Sequence, residues 1–134
     1  VDPKTINHLR IAERNRELAR ALLDPSQASL RPTPWEWVAV IAFYAAVHLV
    51  NAYLWETRGL VPSSHAHRRR ELQAALRISA CRQSYSALNL AGYQARYDET
   101  YSLTEQDART LLEIHFRRVE ATVMQALGQP VPVW

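Results

Sequence analysis

The stretch from Trp35 to Trp55, WEWVAVIAFYAAVHLVNAYLW, sets the limits on what this chain can become. It carries one formal charge, Glu36, and two other strongly polar side chains, His48 and Asn51. Wound as an α-helix at about 1.5 Å per residue it would be roughly 30 Å long, with no face polar enough to meet water along its whole length. Two settings accept such a rod, a membrane span or the centre of a helical bundle. Length, aromatic residues at both ends and the flanking Arg31 and Arg58 suit a span. Against it, His48 and Asn51 would lie in hydrocarbon, and the remaining helices are amphipathic in a way that requires one another. A buried central helix over 34–57, with no membrane, accounts for the whole chain.

The rest of the composition agrees with an all-helical protein. Only three glycines are present, and Ala, Leu, Arg and Glu are abundant. Hydrophobic residues make up 48% and charged residues 22%, an ordinary globular balance that excludes a disordered chain. With 134 residues the expectation is one domain over 1–134. The formal charge of +3 permits nucleic-acid binding without requiring it. The single cysteine, Cys81, rules out an intrachain disulfide and fits a reducing, cytoplasmic compartment. No secretory signal is legible in the polar N-terminal region, and Val1 in place of Met points to a trimmed start.

Helix boundaries are signalled locally. Asp2-Pro3 reads as an N-cap followed by proline at the first helical position. The helix it starts runs to about Leu23, with Ile11, Leu18 and Leu22 as its apolar stripe and Arg10, Arg14, Arg16 and Arg20 on the outer side. Asp24 to Pro34 is a loop, and Thr33-Pro34-Trp35-Glu36 reads as a capping box that opens the central helix. Gly59 and Pro62 close it. Ser63 or Ser64 caps a third helix, SHAHRRRELQAAL, on which Arg68 and Arg70 are expected at the surface. A fourth helix covers about Cys81 to Tyr97, where Gly92 suggests close approach by another helix. Ser102-x-x-Glu105 reads as a second capping box, and a last helix runs to about Leu127, stopped by Gly128. Leu112, His115, Val119 and Ala126 mark its apolar face; Arg109, Glu113, Arg117 and Glu120 mark its charged face. Phe116 is the clearest exposed aromatic for a dimer face, and Trp134 either packs back or trails as a tail. Short linkers predict an up-and-down bundle of about five helices.

Polar groups fall at helical spacing inside this apolar frame. Tyr44, His48, Asn51 and Trp55 form one narrow stripe on the central helix, and buried polar groups need partners from a neighbouring helix, a second subunit or a ligand. On the fourth helix Tyr85, Asn89, Gly92 and Arg96 share a stripe, with Leu90, Tyr93 and Tyr97 on the adjacent one. His65, His67, His115 and Cys81 show no spacing typical of a zinc site, so no metal and no cofactor is expected.

The ordered run AFYAAVHLVNAYL, Gly59, SHAHR, Tyr85-Ser86-Ala87-Leu88 and Ala95-Arg96-Tyr97 resembles the HEPN domains of bacteria and archaea, and IAERN in the first helix fits the same pattern. The resemblance covers nearly the whole chain. It implies a bundle of about five helices that is commonly a homodimer. It also implies metal-independent RNase activity in toxin–antitoxin and defence systems, or partnership with a nucleotidyltransferase or antitoxin, or nucleotide binding and scaffolding. Nuclease members carry an Arg followed after four to six residues by a His. The His moves protons at the 2′-hydroxyl or the leaving oxygen, and the Arg stabilises the phosphorane charge.

That spacing occurs here as Arg109 with His115 and as Arg58 with His65. On one continuous helix, residues six apart point about 240° apart, which puts Arg109 and His115 on different faces. Arg58 and His65 straddle a loop. The preferred site is instead set by the polar positions to which the resemblance points, with His48, His65, Arg69 and Arg96 as candidate catalytic residues and Tyr97 as a binding residue, joined by Tyr44, Asn51 and Asn89 as further binding residues. Together they would make a basic pocket for RNA or nucleotide, or a polar network that fixes helix register.

Overall fold

The structure is a computed structural model that describes residues 1–27 and 35–134. It is all-helical, with no strand among the described residues. Helix α1 spans Pro3–Leu23, α2 Glu36–Arg58, α3 His65–Ala74 and α4 Arg82–Tyr97; a 3₁₀ segment, Leu76–Cys81, joins α3 to α4. Helix α5, Glu105–Thr110, continues through a π-helical segment, Leu111–Phe116, into α6, Arg117–Ala126.

The apolar rod is the centre of the bundle. From Val38 to Leu54 nearly every side chain of α2 is buried, and 67% of its most apolar window lies inside the protein. Half-buried along that rod are Val40 and Ile41 near its start and then Tyr44, His48, Asn51 and Trp55, the polar stripe read from the sequence. Each residue of the stripe finds its partner on another helix or at the N-terminus: Tyr44 on α4, His48 on α1, Asn51 on α3, and Trp55 at Asp2. Burying a large apolar side chain is worth about 1.5–3 kcal/mol, and Phe43, Leu49, Val50 and Leu54 are all fully buried.

Helix α1 runs antiparallel to α2. Asp2 caps α1 by accepting from the Lys4 N–H, while its own N–H and the Thr5 hydroxyl donate to Glu56 near the other end of α2. Helix α4 crosses α2 where Gly92 meets Phe43; a Cβ on Gly92 would stand 2.9 Å from the Phe43 Cβ. This is the close approach the glycine suggested. Gly59, at φ 60°, ends α2, and Gly128, at φ 66°, follows the end of α6. Both take the left-handed conformation that glycine adopts without steric cost.

Several expectations are corrected. The inner face of α1 is Thr5, Ala12, Arg16, Ala19 and Leu23; Ile11 and Leu22 are only partly buried and Leu18 is 51% exposed. Alanines there let α1 lie close to α2, whereas a leucine stripe would hold it off. Arg16 and Glu120, placed on outer faces by the charge pattern, are both buried and paired, with Arg16 Nη1 donating to Glu120 Oε2 at 2.7 Å. Arg68, expected at the surface, is buried. The capping box of the last helix is Thr104 with Asp107, not Ser102 with Glu105. Phe116 is fully buried, which removes it from any dimer face. The π-helical turn around it brings Leu111, Leu112 and Phe116 together into the core. The third helix ends at Ala74, leaving Leu76 exposed. Trp134 packs back, its indole N–H donating to Glu120 Oε1 at 2.7 Å and its ring lying beneath the Arg117 cation. The expected cap at Thr33 and the helix start at 34 lie outside the described residues.

Candidate functional site

The start of α3 and the end of α4 meet at one side of the bundle. Ser64 caps α3 by accepting the His67 N–H, so the first turn of α3 is fixed and presents His65 and Arg69 on one face. Opposite them α4 presents Asn89, Tyr93, Arg96 and Tyr97. With Ala66 and Leu90 these residues line a cleft of about 640 Å³. No carboxylate is among them.

Arg96 is held rather than free to swing. Its Nε donates to the Gly92 carbonyl at 3.0 Å and its Nη1 to the Tyr44 hydroxyl at 2.5 Å. Its cation also sits over the rings of Tyr97, Tyr44 and Phe43 at 5.2–5.5 Å. Of the five guanidinium N–H groups, three remain for a ligand. Arg69 is exposed and has no ion-pair partner among the described residues.

Behind the cleft lies Arg68, only 7% exposed. Its Nε donates to Asn51 Oδ1 at 2.8 Å, and its Nη1 lies 2.9 Å from His65 Nδ1. A guanidinium only donates, so His65 accepts at Nδ1 and carries its proton on Nε2. Burial lowers the pKa of His65, and the cations of Arg68, Arg96 and Arg69 lower it further. Near Arg68, the hydroxyl of Tyr85 is the buried side-chain polar atom without a hydrogen-bond partner among the described residues. Burial raises its pKa, against the opposing pull of Arg68. No carboxylate pairs with Arg68 among the described residues, so the region behind the cleft is positive and uncompensated.

The cleft therefore gathers His65, Arg69, Arg96, Asn89 and Tyr97 from the sequence-based set. Tyr44 and Asn51 stand behind it, as anchors of Arg96 and Arg68. His48 is not in it. Its Nδ1 lies 2.9 Å from Nδ1 of His8 on α1, in a separate pair. Burial first, then the His8, Arg68 and Arg14 charges, bring the His48 pKa down to about 4. Three residues of these two sites were not among the sequence-based candidates: His8, Arg68, which was expected at the surface, and Tyr93, which lines the cleft. His8 was detectable, since His8, Ala12 and Arg16 are spaced by four along the face of α1 that turns inward.

Neither Arg–His spacing assembles. Arg58 forms an ion pair with Glu71, while His65 is engaged by Arg68. Arg109 is held by Glu105, Glu113 and the Leu23 carbonyl, whereas His115 turns to the Ser84 hydroxyl on α4 at 3.1 Å. No group of three His, Cys, Asp or Glu close enough to hold a metal ion occurs among the described residues.

Comparison with known proteins gives one result. The family model of the HEPN domain matches residues 7–122, nearly the whole chain. No curated protein and no solved structure matches it.

Proposed function

The chain belongs to the HEPN domain family, whose members are nucleotide-binding and RNase-like modules, and from that premise we propose that it binds the phosphates of RNA or a nucleotide in the cleft between α3 and α4. The observation that carries this reading is charge without counter-charge. Arg69 and Arg96 line the cleft, Arg68 lies behind it, and no carboxylate lines it. Anions are what such a site lacks, and guanidinium groups recognise phosphate through paired hydrogen bonds.

His65 adds a donor. With Nδ1 occupied by Arg68, its Nε2–H is free to meet a phosphate oxygen, but the ring has no lone pair left to take a proton from a 2′-hydroxyl. Recognition is therefore favoured over cleavage, as in the non-catalytic members that work as homodimers or beside a nucleotidyltransferase or antitoxin. Metal-independent RNA cleavage is the second reading. It is favoured by a neutral imidazole sharing one cleft with two arginines, and it requires Arg68 to release Nδ1. In either case we place the domain in a toxin–antitoxin or defence-type system, which the neighbouring genes would test.

The deciding experiment is incubation of labelled RNA with the protein in EDTA, read for both binding and cleavage, beside Arg69→Ala and His65→Ala variants whose melting temperatures match the wild type. Binding without cleavage that weakens in Arg69→Ala supports the proposal. Cleavage lost in His65→Ala establishes the second reading. No binding of RNA, AMP or ATP sinks both.

A further inference from the structure

We infer that the occupant of the cleft is an unpaired stretch of RNA, laid across Arg96 between two aromatic platforms, in preference to a free nucleotide or a duplex. The inference rests on the phosphate-binding reading above and adds the class of ligand.

Large aromatic side chains in a folded domain are mostly buried, yet Tyr93, Tyr97 and Trp37 are each more than half exposed, Tyr97 at 68%. They cluster around one cation. Tyr93 and Tyr97 stand one turn apart on α4 with ring centroids 5.1 Å apart, and both line the basic cleft. Trp37 lies on the other side, in a groove shared with Val40, Ala95 and again Arg96. Arg96 thus forms a wall of both depressions, with Tyr97 in one and Trp37 in the other. Two platforms on either side of one held cation offer a single strand a surface for each of two bases and a partner for the phosphate between them. A mononucleotide has one base and can use one platform. A duplex keeps its base faces stacked inside and presents none.

The charge pattern sets the polarity of the fit. Glu36 borders the Trp37 groove, with its Oε1 accepting the Leu103 N–H. A carboxylate there repels phosphate, so the phosphate belongs at Arg96, Arg69 and His65 and only a base meets Trp37. Leu90, also exposed, extends the apolar shelf beside Tyr93.

The test is fluorescence anisotropy with a labelled oligoadenylate of about ten nucleotides, its duplex with oligouridylate, and AMP as competitor. Wild-type, Trp37→Ala, Tyr97→Ala, Tyr97→Phe and Arg69→Ala proteins are compared. The inference expects the single strand to bind more tightly than duplex or AMP. Trp37→Ala and Tyr97→Ala should each weaken it roughly five-fold or more, with Tyr97→Phe close to wild type. Arg69→Ala should flatten the salt dependence and the aromatic variants should leave it unchanged. Equal binding of AMP or duplex, or aromatic variants that bind like the wild type while Arg69→Ala is impaired, would overturn the inference and leave the phosphate site standing. Light scattering that shows Trp37→Ala or Tyr97→Ala dissolving a dimer with RNA affinity unchanged would assign the aromatic face to a protein partner, with the same consequence. No binding of any probe removes the phosphate site, and the inference goes with it.

Discussion

His8 Nδ1 and His48 Nδ1 lie 2.9 Å apart, so the space between the two rings holds one proton: one ring donates and the other accepts. A second proton would set two N–H groups against each other. Burial holds both rings below the ordinary histidine value, and nearby cations add to it, His48 being brought down to about 4.

The first prediction concerns acid stability. Between pH 6.5 and about 4 the unfolded chain protonates His48 and the folded chain does not. The unfolded state then binds more protons, so stability falls as the pH drops through that window and is flat above it. Since His48 is half-buried and partly screened, the loss is on the order of 1–2 kcal/mol. His65 and His115 shift in the same direction, so the informative quantity is the difference between wild type and His48→Gln in urea midpoints across the window. An identical acid loss in both proteins would remove His48 from the account.

The second concerns Arg68. In the wild type, nitrogen NMR should find His65 as the Nε2–H tautomer. Arg68→Met takes away the nearest cation and frees Nδ1, so the His65 titration midpoint should rise. Asn51 Oδ1 loses its partner as well, and the variant should lose about 1–3 kcal/mol of stability in chemical denaturation. An unmoved His65 titration would contradict the assigned contact.

The third concerns the Arg16–Glu120 pair, whose side chains are 6% and 4% exposed. Glu120→Gln leaves the Arg16 cation buried. Glu17 at 3.0 Å and Glu13 at 3.7 Å still reach it, so the loss should be about 2–3 kcal/mol, below that for a fully orphaned charge. Replacing both partners, Arg16→Met with Glu120→Leu, should recover part of it, as measured by urea unfolding, the remainder being the acceptor that the Trp134 indole N–H loses. Equal losses in the single and double variants would show that packing, not charge, is at stake.

The fourth concerns Gly92. Alanine there improves helix propensity by about 1 kcal/mol but sets a Cβ against Phe43, which is fully buried and cannot swing aside. A net loss of roughly 1–2 kcal/mol is expected. A Gly92→Ala protein that melts higher than the wild type would mean that α2 and α4 separate easily.

By itself the sequence determined the features that depend on neighbours within one helix turn or on summed hydrophobicity. The Trp35–Trp55 run had to leave water over most of its length because no face of it is polar from end to end. Spacings of four, three and four placed Tyr44, His48, Asn51 and Trp55 on one line, and Asp2-Pro3, Gly59 and Gly128 marked ends through local backbone preferences. Tertiary structure alone decided which side of each amphipathic helix turned inward and which partner each polar group met. Arginine can serve either side, because its apolar stem packs while its head finds a charge. That is why Arg16 and Arg68 are buried although the charge pattern placed them outside. Glu120 is 104 residues from Arg16, and no local rule links them. The same holds for the site. The family resemblance and an up-and-down helix order put His48 beside His65 and Arg96, but α1 supplied His8 at contact distance and took His48 out of the cleft, because packing of the alanine face of α1 on α2 fixed what lay opposite that ring.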